Sequence, residues 1–361
     1  MGGHLIDYDL ATHGCNYWIC DGIIQLKQGD VVGSDDVAAE TLWRSCDALK
    51  HEMRLDADYH QSPQLPASPV VRRLQERMAY WTSPAYGSTL IKDQRGRIPK
   101  GMFQQYDRLC VLKLSACTFS LTSPPFLCCH SLRFLWLDHC QDESSSTDDG
   151  AANEEDIRRC FEKLWVLDVR YSSSKFLSEK MMDFMAQLRE LHVMGQEKFN
   201  MDMLQGRLHN IRKLKVTKSK INCSNRTYLL SGKDKMEHLE LSENGGSMKS
   251  LSVESSSCSC LETVIIDGCV SLEEISLKGW AKPKNLLLRG SFPDLRSLDL
   301  TGAAVKTLDL NAVMAPKLEE LFLLDCVKLT AILWPPPPPS AGEGKGSGKR
   351  YLAKLRIDST Q

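Results

Sequence analysis

The sequence predicts an α/β solenoid, an irregular horseshoe with a parallel β-sheet on its concave face, preceded by a small and mostly helical segment. One phrase carries most of the prediction: an apolar residue, two others, a leucine, one other and a second leucine or similar residue, as in Leu109-Cys-Val-Leu112-Lys-Leu114 and Leu132-Arg-Phe-Leu135-Trp-Leu137. It restarts at Leu109, Leu132, Leu164, Leu188, Ile211, Met236, Leu261, Leu295 and Leu318, in steps of 23, 32, 24, 23, 25, 25, 34 and 23 residues. Most steps fall in the roughly 20–29-residue period of leucine-rich repeats, whose units bury their apolar face only by stacking on a neighbour. A third observation fixes the register. Three residues beyond the second leucine stand Cys117, Cys140, Cys269 and Cys326. A side chain there lies inside the coil and must satisfy the next repeat's backbone or act as a small apolar filler, and cysteine meets either demand.

Taken in order, the chain begins with a compact apolar segment, Tyr17-Trp-Ile-Cys-Asp-Gly-Ile-Ile24, broken at Asp21-Gly22. Ser34-Asp-Asp-Val37 places two acids where they favour a helix N-terminus. The helix they open runs through Leu49, with Val37, Ala38, Leu42, Trp43, Cys46 and Leu49 on one face. Pro63, Pro66 and Pro69 interrupt the chain before a second predicted helix, Val70 to Trp81. The repeats occupy 106–334. Their 32-residue step contains Gln141 to Asp156, rich in Ser, Asp and Glu, which reads as a solvated acidic insert. Their 34-residue step contains the half-phrases Leu272-Glu-Glu-Ile275-Ser-Leu277 and Pro283-Lys-Asn-Leu286-Leu-Leu288, and Val305-Lys-Thr-Leu308-Asp-Leu310 is another. Such tight returns leave little room for helix late in the solenoid, whereas Glu179 to Gln187 keeps a helical pattern earlier. A Pro/Gly-rich loop at 335–350 and the start of a further repeat at 351–361 complete the organisation.

Composition excludes several classes. The 361 residues are 42% hydrophobic with a formal net charge of −1, enough for a continuous core and without the basic excess of a nucleic-acid binder. No stretch reaches the roughly 20 apolar residues of a membrane span. The start lacks a secretory signal, and Ile6 stands where a myristoylation motif needs Ser or Thr, so a cytoplasmic or nucleocytoplasmic location is expected. Fourteen cysteines include no C-x-x-C pair, which favours reduced thiols in the core or in ladder positions over zinc or disulfides. The sequons at Asn222 and Asn225 are then expected to go unused. Gly342 to Lys349 imitates a phosphate loop, but Glu343 replaces its first glycine and Arg350 its hydroxyl residue. No catalytic, cofactor or metal constellation is found, and Glu319-Glu320 on a strand point opposite ways. The expected protein is not an enzyme.

Trp18-Ile-Cys-Asp-Gly-Ile-Ile24 resembles the W-I-A-E-G signature in the winged-helix part of the nucleotide-binding module of plant disease-resistance receptors (NB-LRR proteins), in which a leucine-rich-repeat region follows. Leu323-Leu-Asp-Cys-Val-Lys-Leu329 with Ala331-Ile-Leu-Trp-Pro335 is similar to the repeat endings of cereal members. The resemblance implies a winged-helix remnant at 1–60, a linker and helix at 61–105, and a protein-recognition module of an intracellular immune receptor. Its expected partners are a pathogen effector, a guarded host protein or the nucleotide-binding module that it holds inactive. The family's phosphate loop, magnesium motif and Met-His-Asp triplet are not found, so no nucleotide switch is carried over, and the chain reads as a partial receptor. A repeat adaptor such as a ubiquitin-ligase substrate receptor is the alternative; it calls for an F-box helix cluster that 34–81 does not convincingly provide.

Recognition falls to residues between the leucines, because these line the sheet's outer face. The central positions are Lys113, Trp136, Asp168, His192, Lys215, Glu240, Ile265, Asp299 and Phe322. Phe134, Trp136, Trp165 and Tyr171 form an expected aromatic patch; Arg189, Arg212, Lys213, Lys215 and Lys218 a basic band; Glu237, Glu240 and Glu243 an acidic one. Two readings stand open: the bands pair with each other and brace the stack, or the patch and basic band dock an acidic partner or a nucleotide-binding module.

Overall fold

A computed structural model describes residues 10–21, 41–45, 77–82, 96–98, 101–143, 152–223, 230–254, 256–334 and 354–357. Most of the expected helix from Ser34, the centre of the acidic insert and the Pro/Gly-rich loop lie outside them. The chain divides into two units, Met1–Leu167 and Asp168–Gln361. Both are built of stacked parallel strands, giving a leucine-rich-repeat solenoid of about nine turns with little helix.

In the first unit, Met78–Thr82 pairs in parallel with Val111–Ser115, which pairs with Phe134–Asp138. A second ladder joins Gly96–Arg97, Cys117–Phe119 and Gln141–Asp142. Stacking therefore begins well before residue 106; of the helix expected over Val70 to Trp81, residues 70–76 lie outside the described residues, Arg77 is helical, and the chain is a strand from Met78. The sequence Met-Ala-Tyr-Trp-Thr suits a pleated, half-buried surface, and pairing with Val111–Ser115 takes these last residues out of the expected helix. The expected acidic loop also ends early. Glu154–Phe161 is a helix with Asn153 as its N-cap and Glu154, Glu155 and Asp156 in its first turn, where acids favour the positive end of the helix dipole.

The second unit has two long strand rows. Glu190–Met194, Lys213–Thr217, His238–Ser242, Thr263–Asp267 and Asn285–Ser291 form the first, in consecutive parallel register. Ser250–Ser252, Glu274–Ser276, Ser297–Asp299, Glu320–Leu323 and Lys354–Ile357 form the second. The phrases from Leu295 and Leu318 thus belong to the second row, and the half-phrase from Pro283 continues the first. The 34-residue step disappears: Leu261 to Pro283 spans 22 residues on one row, while Met248, Leu272, Leu295 and Leu318 are 24, 23 and 23 apart on the other. Each row turns alternate apolar residues inward, so the phrase reports an inward leucine without reporting which side of the coil it closes. Among described residues no helix follows the 3-10 turn Met201–Leu204; the early helical pattern appears as Glu179–Phe184.

One backbone device recurs after strand after strand. Ala116, His139, Tyr171, Gly195, Lys218, Glu243 and Gly268 all have positive φ, between 47° and 66°. Many of their N–H groups donate one rung ahead, as Ala116 to Asp138 O (2.8 Å), Gly195 to Thr217 O (3.0 Å) and Lys218 to Ser242 O (2.9 Å). The residue after the kink carries the side chain predicted to lie in the coil. Cys140 Sγ donates to Leu114 O (3.3 Å), Cys269 Sγ to Leu241 O (3.3 Å) and Cys326 Sγ to Leu300 O (3.0 Å). At the equivalent place Asn244 donates to Val216 O (2.7 Å) and accepts from Ser219 N–H (3.0 Å). Each of the bonds donated to a carbonyl satisfies the residue at the second leucine position of a previous rung. The described cysteines are free thiols, and burial pushes the Cys269 thiol up to about 11, which keeps the donor proton in place.

Asn244→Ala removes both bonds and leaves a buried carbonyl and amide unpaired. It should cost about 2–4 kcal/mol of unfolding free energy, read as a lower denaturation midpoint; an unchanged midpoint would contradict the ladder's structural role.

Candidate protein-interaction surface

The aromatic patch of the first unit is not open. Phe134 and Trp136 expose 0% and 4% of their surface, because helix α1, Leu10–Cys20, lies across them. The Tyr17 and Phe134 rings are 5.0 Å apart, and His13 lies 5.1 Å from Phe134, edge-on, and 5.6 Å from Trp136. Trp43, in the helical stretch 41–45, meets Trp165 edge-on at 5.3 Å. A polar chain ties these pieces together: Trp43 Nε1 donates to Asn16 Oδ1 (3.1 Å), and Asn16 Nδ2 contacts His13 Nδ1 (3.0 Å). At the margin Lys113 sits 3.6 Å from the Trp136 ring centroid and Arg133 lies 4.4 Å from that of Trp165, favourable placements for cations over aromatic faces.

The expectation of a free aromatic docking patch is therefore corrected for Phe134 and Trp136, which leave the sheet as predicted but are covered by a segment of the same chain, while Trp165 is partly buried and Tyr171 stays exposed. The signal was present in the sequence. His13, Asn16, Tyr17 and Cys20 are all buried, and their spacing is that of one helical face. Two of the four are polar, so an apolar reading starts at Tyr17 and misses the helix.

The charged bands of the second unit neutralise each other along its first row. Lys213 meets Glu190 at 3.0 Å, Lys215 meets Glu240 at 3.2 Å, and Arg212 grips Glu237 through a fork with 2.8 Å contacts. Lys218 and Glu243 approach to 3.9 Å from the left-handed kinks rather than from the strands. His192 contacts Glu190 at 3.3 Å and His238 contacts Glu240 at 3.5 Å. Parallel register produces this arrangement, since Lys213 stands between Glu190 and His238, and Lys215 between His192 and Glu240. Burial works to raise the Glu240 pKa, but hydrogen bonding from His238 and the charge of Lys215 overcome it and bring it down to about 2.

Other predicted residues are redistributed. Asp168, Arg189, His192 and Arg212 are buried rather than presented on an open face, and Asp168 is held by a fork from Arg170 at 2.8–3.1 Å. Tyr171 is 41% exposed in a kink, and a Cβ on Gly195 would come within 2.2 Å of its ring, so glycine makes room for the ring. Asp299 and Phe322 lie on the second row, where Lys278 pairs with Asp299 at 3.0 Å and Arg356 lies 5.8 Å from the Phe322 ring centroid. The more open part of the first row is Ile265 beside Leu287, next to the Arg289–Asp267 ion pair at 2.6 Å.

No family model matches the chain, and no curated protein does. Solved structures similar to it include the leucine-rich-repeat domain of the type III effector XopL, 14% identical, covering 93% of this chain and 98% of that one with a TM-score of 0.33. The leucine-rich-repeat domain of APL1B is 12% identical over 81% of this chain and 88% of that one, TM-score 0.33. A TLR13–ssRNA13 complex is 15% identical over 66% of this chain, TM-score 0.36, and the chain spans 42% of its length. No helix among the described residues is long and apolar enough to cross a membrane.

Two outcomes test the surface. Tyr17→Ala should lower stability by about 3 kcal/mol and move tryptophan emission to longer wavelength as the aromatic floor becomes wet. Since the Glu240 pKa is lower folded than unfolded, its contribution is fully present above about 4.5 and is lost as pH falls towards 2. Acid titration of Glu240→Gln should therefore show a flatter loss of stability over that interval than the parent.

Proposed function

We propose that this chain is the protein-recognition part of an intracellular plant immune receptor of the NB-LRR class, binding a pathogen or host protein and holding a nucleotide-binding module inactive. The observation that carries the reading is the closed aromatic floor. The segment that resembles the winged-helix signature begins at Trp18 in the last turn of α1, and α1 packs on the repeats through Tyr17, His13 and Asn16 just before it. A repeat face that accepts an N-terminal helix of its own chain is suited to restraining the module to which such a helix belongs. Recognition of a further protein then falls to the charged row of the second unit, around Lys213, Lys215 and Glu240, and to exposed Tyr171. Paired charges on such a face select a partner by register more than by net attraction. No nucleotide switch, cofactor or catalytic step is assigned to the chain.

The test is calorimetric titration of the full chain with the nucleotide-binding module of a cereal receptor, and with the same module lacking its winged helix. Binding that depends on the winged helix, and that Tyr171→Ala with Lys215→Ala weakens at least tenfold while circular dichroism stays unchanged, supports the proposal. Equal binding by parent and variant would sink it, and capture of a ubiquitin-ligase scaffold instead would favour the adaptor alternative.

A further inference from the structure

The first two ladder thiols of the first unit are a pair. Cys117 Sγ and Cys140 Sγ lie 3.3 Å apart, both fully buried. The register is the same on either side of them, Ser115 opposite Asp138 and Thr118 opposite Gln141, so the two cysteines face each other on adjacent rungs. Parallel neighbours stand about 4.7–4.9 Å apart, inside the 4.4–6.8 Å Cα range that a disulfide accepts. Side-chain rotation alone must bring the sulfurs from 3.3 Å to about 2.05 Å. The other ladder cysteines lack this opportunity: Cys269 follows Asn244 in the ladder and Cys326 follows Ala303.

We infer that Cys117 and Cys140 are a latent dithiol, a modification site at which a small-molecule disulfide such as oxidised glutathione installs a covalent staple between two repeats. In the first step one cysteine, as its thiolate, attacks the glutathione disulfide, forming a mixed disulfide and expelling one glutathione thiolate. The second cysteine then attacks the protein sulfur of that mixed disulfide, closing the Cys117–Cys140 bond and releasing the second glutathione. Two electrons pass to the oxidant and the two thiol protons end on the glutathione products or in solvent. The Cys140 contact and burial both push the Cys117 pKa upward. The reaction is therefore slow, waits on local opening of the repeat, and gives a product shielded from reductants. Closure also takes away the proton that Cys140 donates to Leu114 O.

The experiment uses the full chain, purified reduced and incubated with excess oxidised glutathione. Remaining thiols are alkylated after unfolding, and the digest is mapped by mass. Partly exposed Cys128 and Cys260 act as internal clocks. The expected result is a cross-linked peptide pair carrying Cys117 and Cys140, two hydrogens lighter than the reduced pair, appearing later than glutathione on the two clock residues. It should be absent from Cys117→Ser and Cys140→Ser, and the oxidised parent should melt higher by on the order of 5 °C. Cys117 and Cys140 still fully alkylatable when incubation is prolonged well past completion of the reaction at Cys128 and Cys260 would overturn the inference. So would mixed glutathione disulfides at either site without the cross-link. The parent chain alone decides between these results, so a serine variant that folds poorly does not disturb the test.

Discussion

Stacking parallel rungs into a coil buries a carbonyl at every turn, and the structure depends on satisfying it. The left-handed residue after a strand reverses the chain, offers its N–H to the next rung, and points the following side chain at the carbonyl left behind. Cysteine and asparagine serve at different levels, with Cys140, Asn244, Cys269 and Cys326 reaching equivalent acceptors. An unpaired buried carbonyl would oppose the apolar gain of each added turn. The inward leucines supply the driving force, and the ladder makes it usable. Lys233 solves a related problem by another route: its buried ammonium donates to the carbonyls of Leu204 and Arg207, at the cost of a pKa drawn down by burial to about 8.

Because the rungs are in register, residues that leave the sheet also stack in columns, and that geometry decides the fate of the surface. Opposite charges brought to neighbouring rungs find each other, which turns two bands into ion pairs such as Lys215–Glu240 and Arg212–Glu237. Aromatic rings brought together on neighbouring rungs make a floor too apolar to leave wet, and α1 covers it. The same columnar rule brings Cys117 against Cys140. Ion pairing, the covered aromatic floor and the facing thiols are thus three results of one alternation.

The repeat phrase made the parallel solenoid, its inward leucines and the cysteine ladder legible in the sequence, because each depends on local alternation. Row membership was not legible, since Leu272, Leu295 and Leu318 on the second row obey the same inward rule as Ile211, Met236 and Leu261 on the first, and only pairing across a turn distinguishes them. Nor was the kink column, whose members range from glycine to Tyr171 and Glu243; a conformation imposed by tertiary hydrogen bonds leaves no residue preference to read. The candidate surface was legible as a set of outward residues such as Phe134, Trp136 and Lys215. Their exposure was not, because it depends on α1, whose buried stripe contains His13 and Asn16 and so does not look apolar.

The covering of Phe134 and Trp136 has a practical consequence for handling the molecule. The repeat pattern invites a shortened version beginning near residue 105, just before the first legible phrase. That boundary would discard α1 together with Met78–Thr82, the strand that pairs with Val111–Ser115. It would bare a tryptophan-lined apolar floor and an unpaired strand edge side by side, the combination that drives chains to aggregate edge to edge. A shortened version meant to remain monomeric has to keep the helix as well as the repeats it shields.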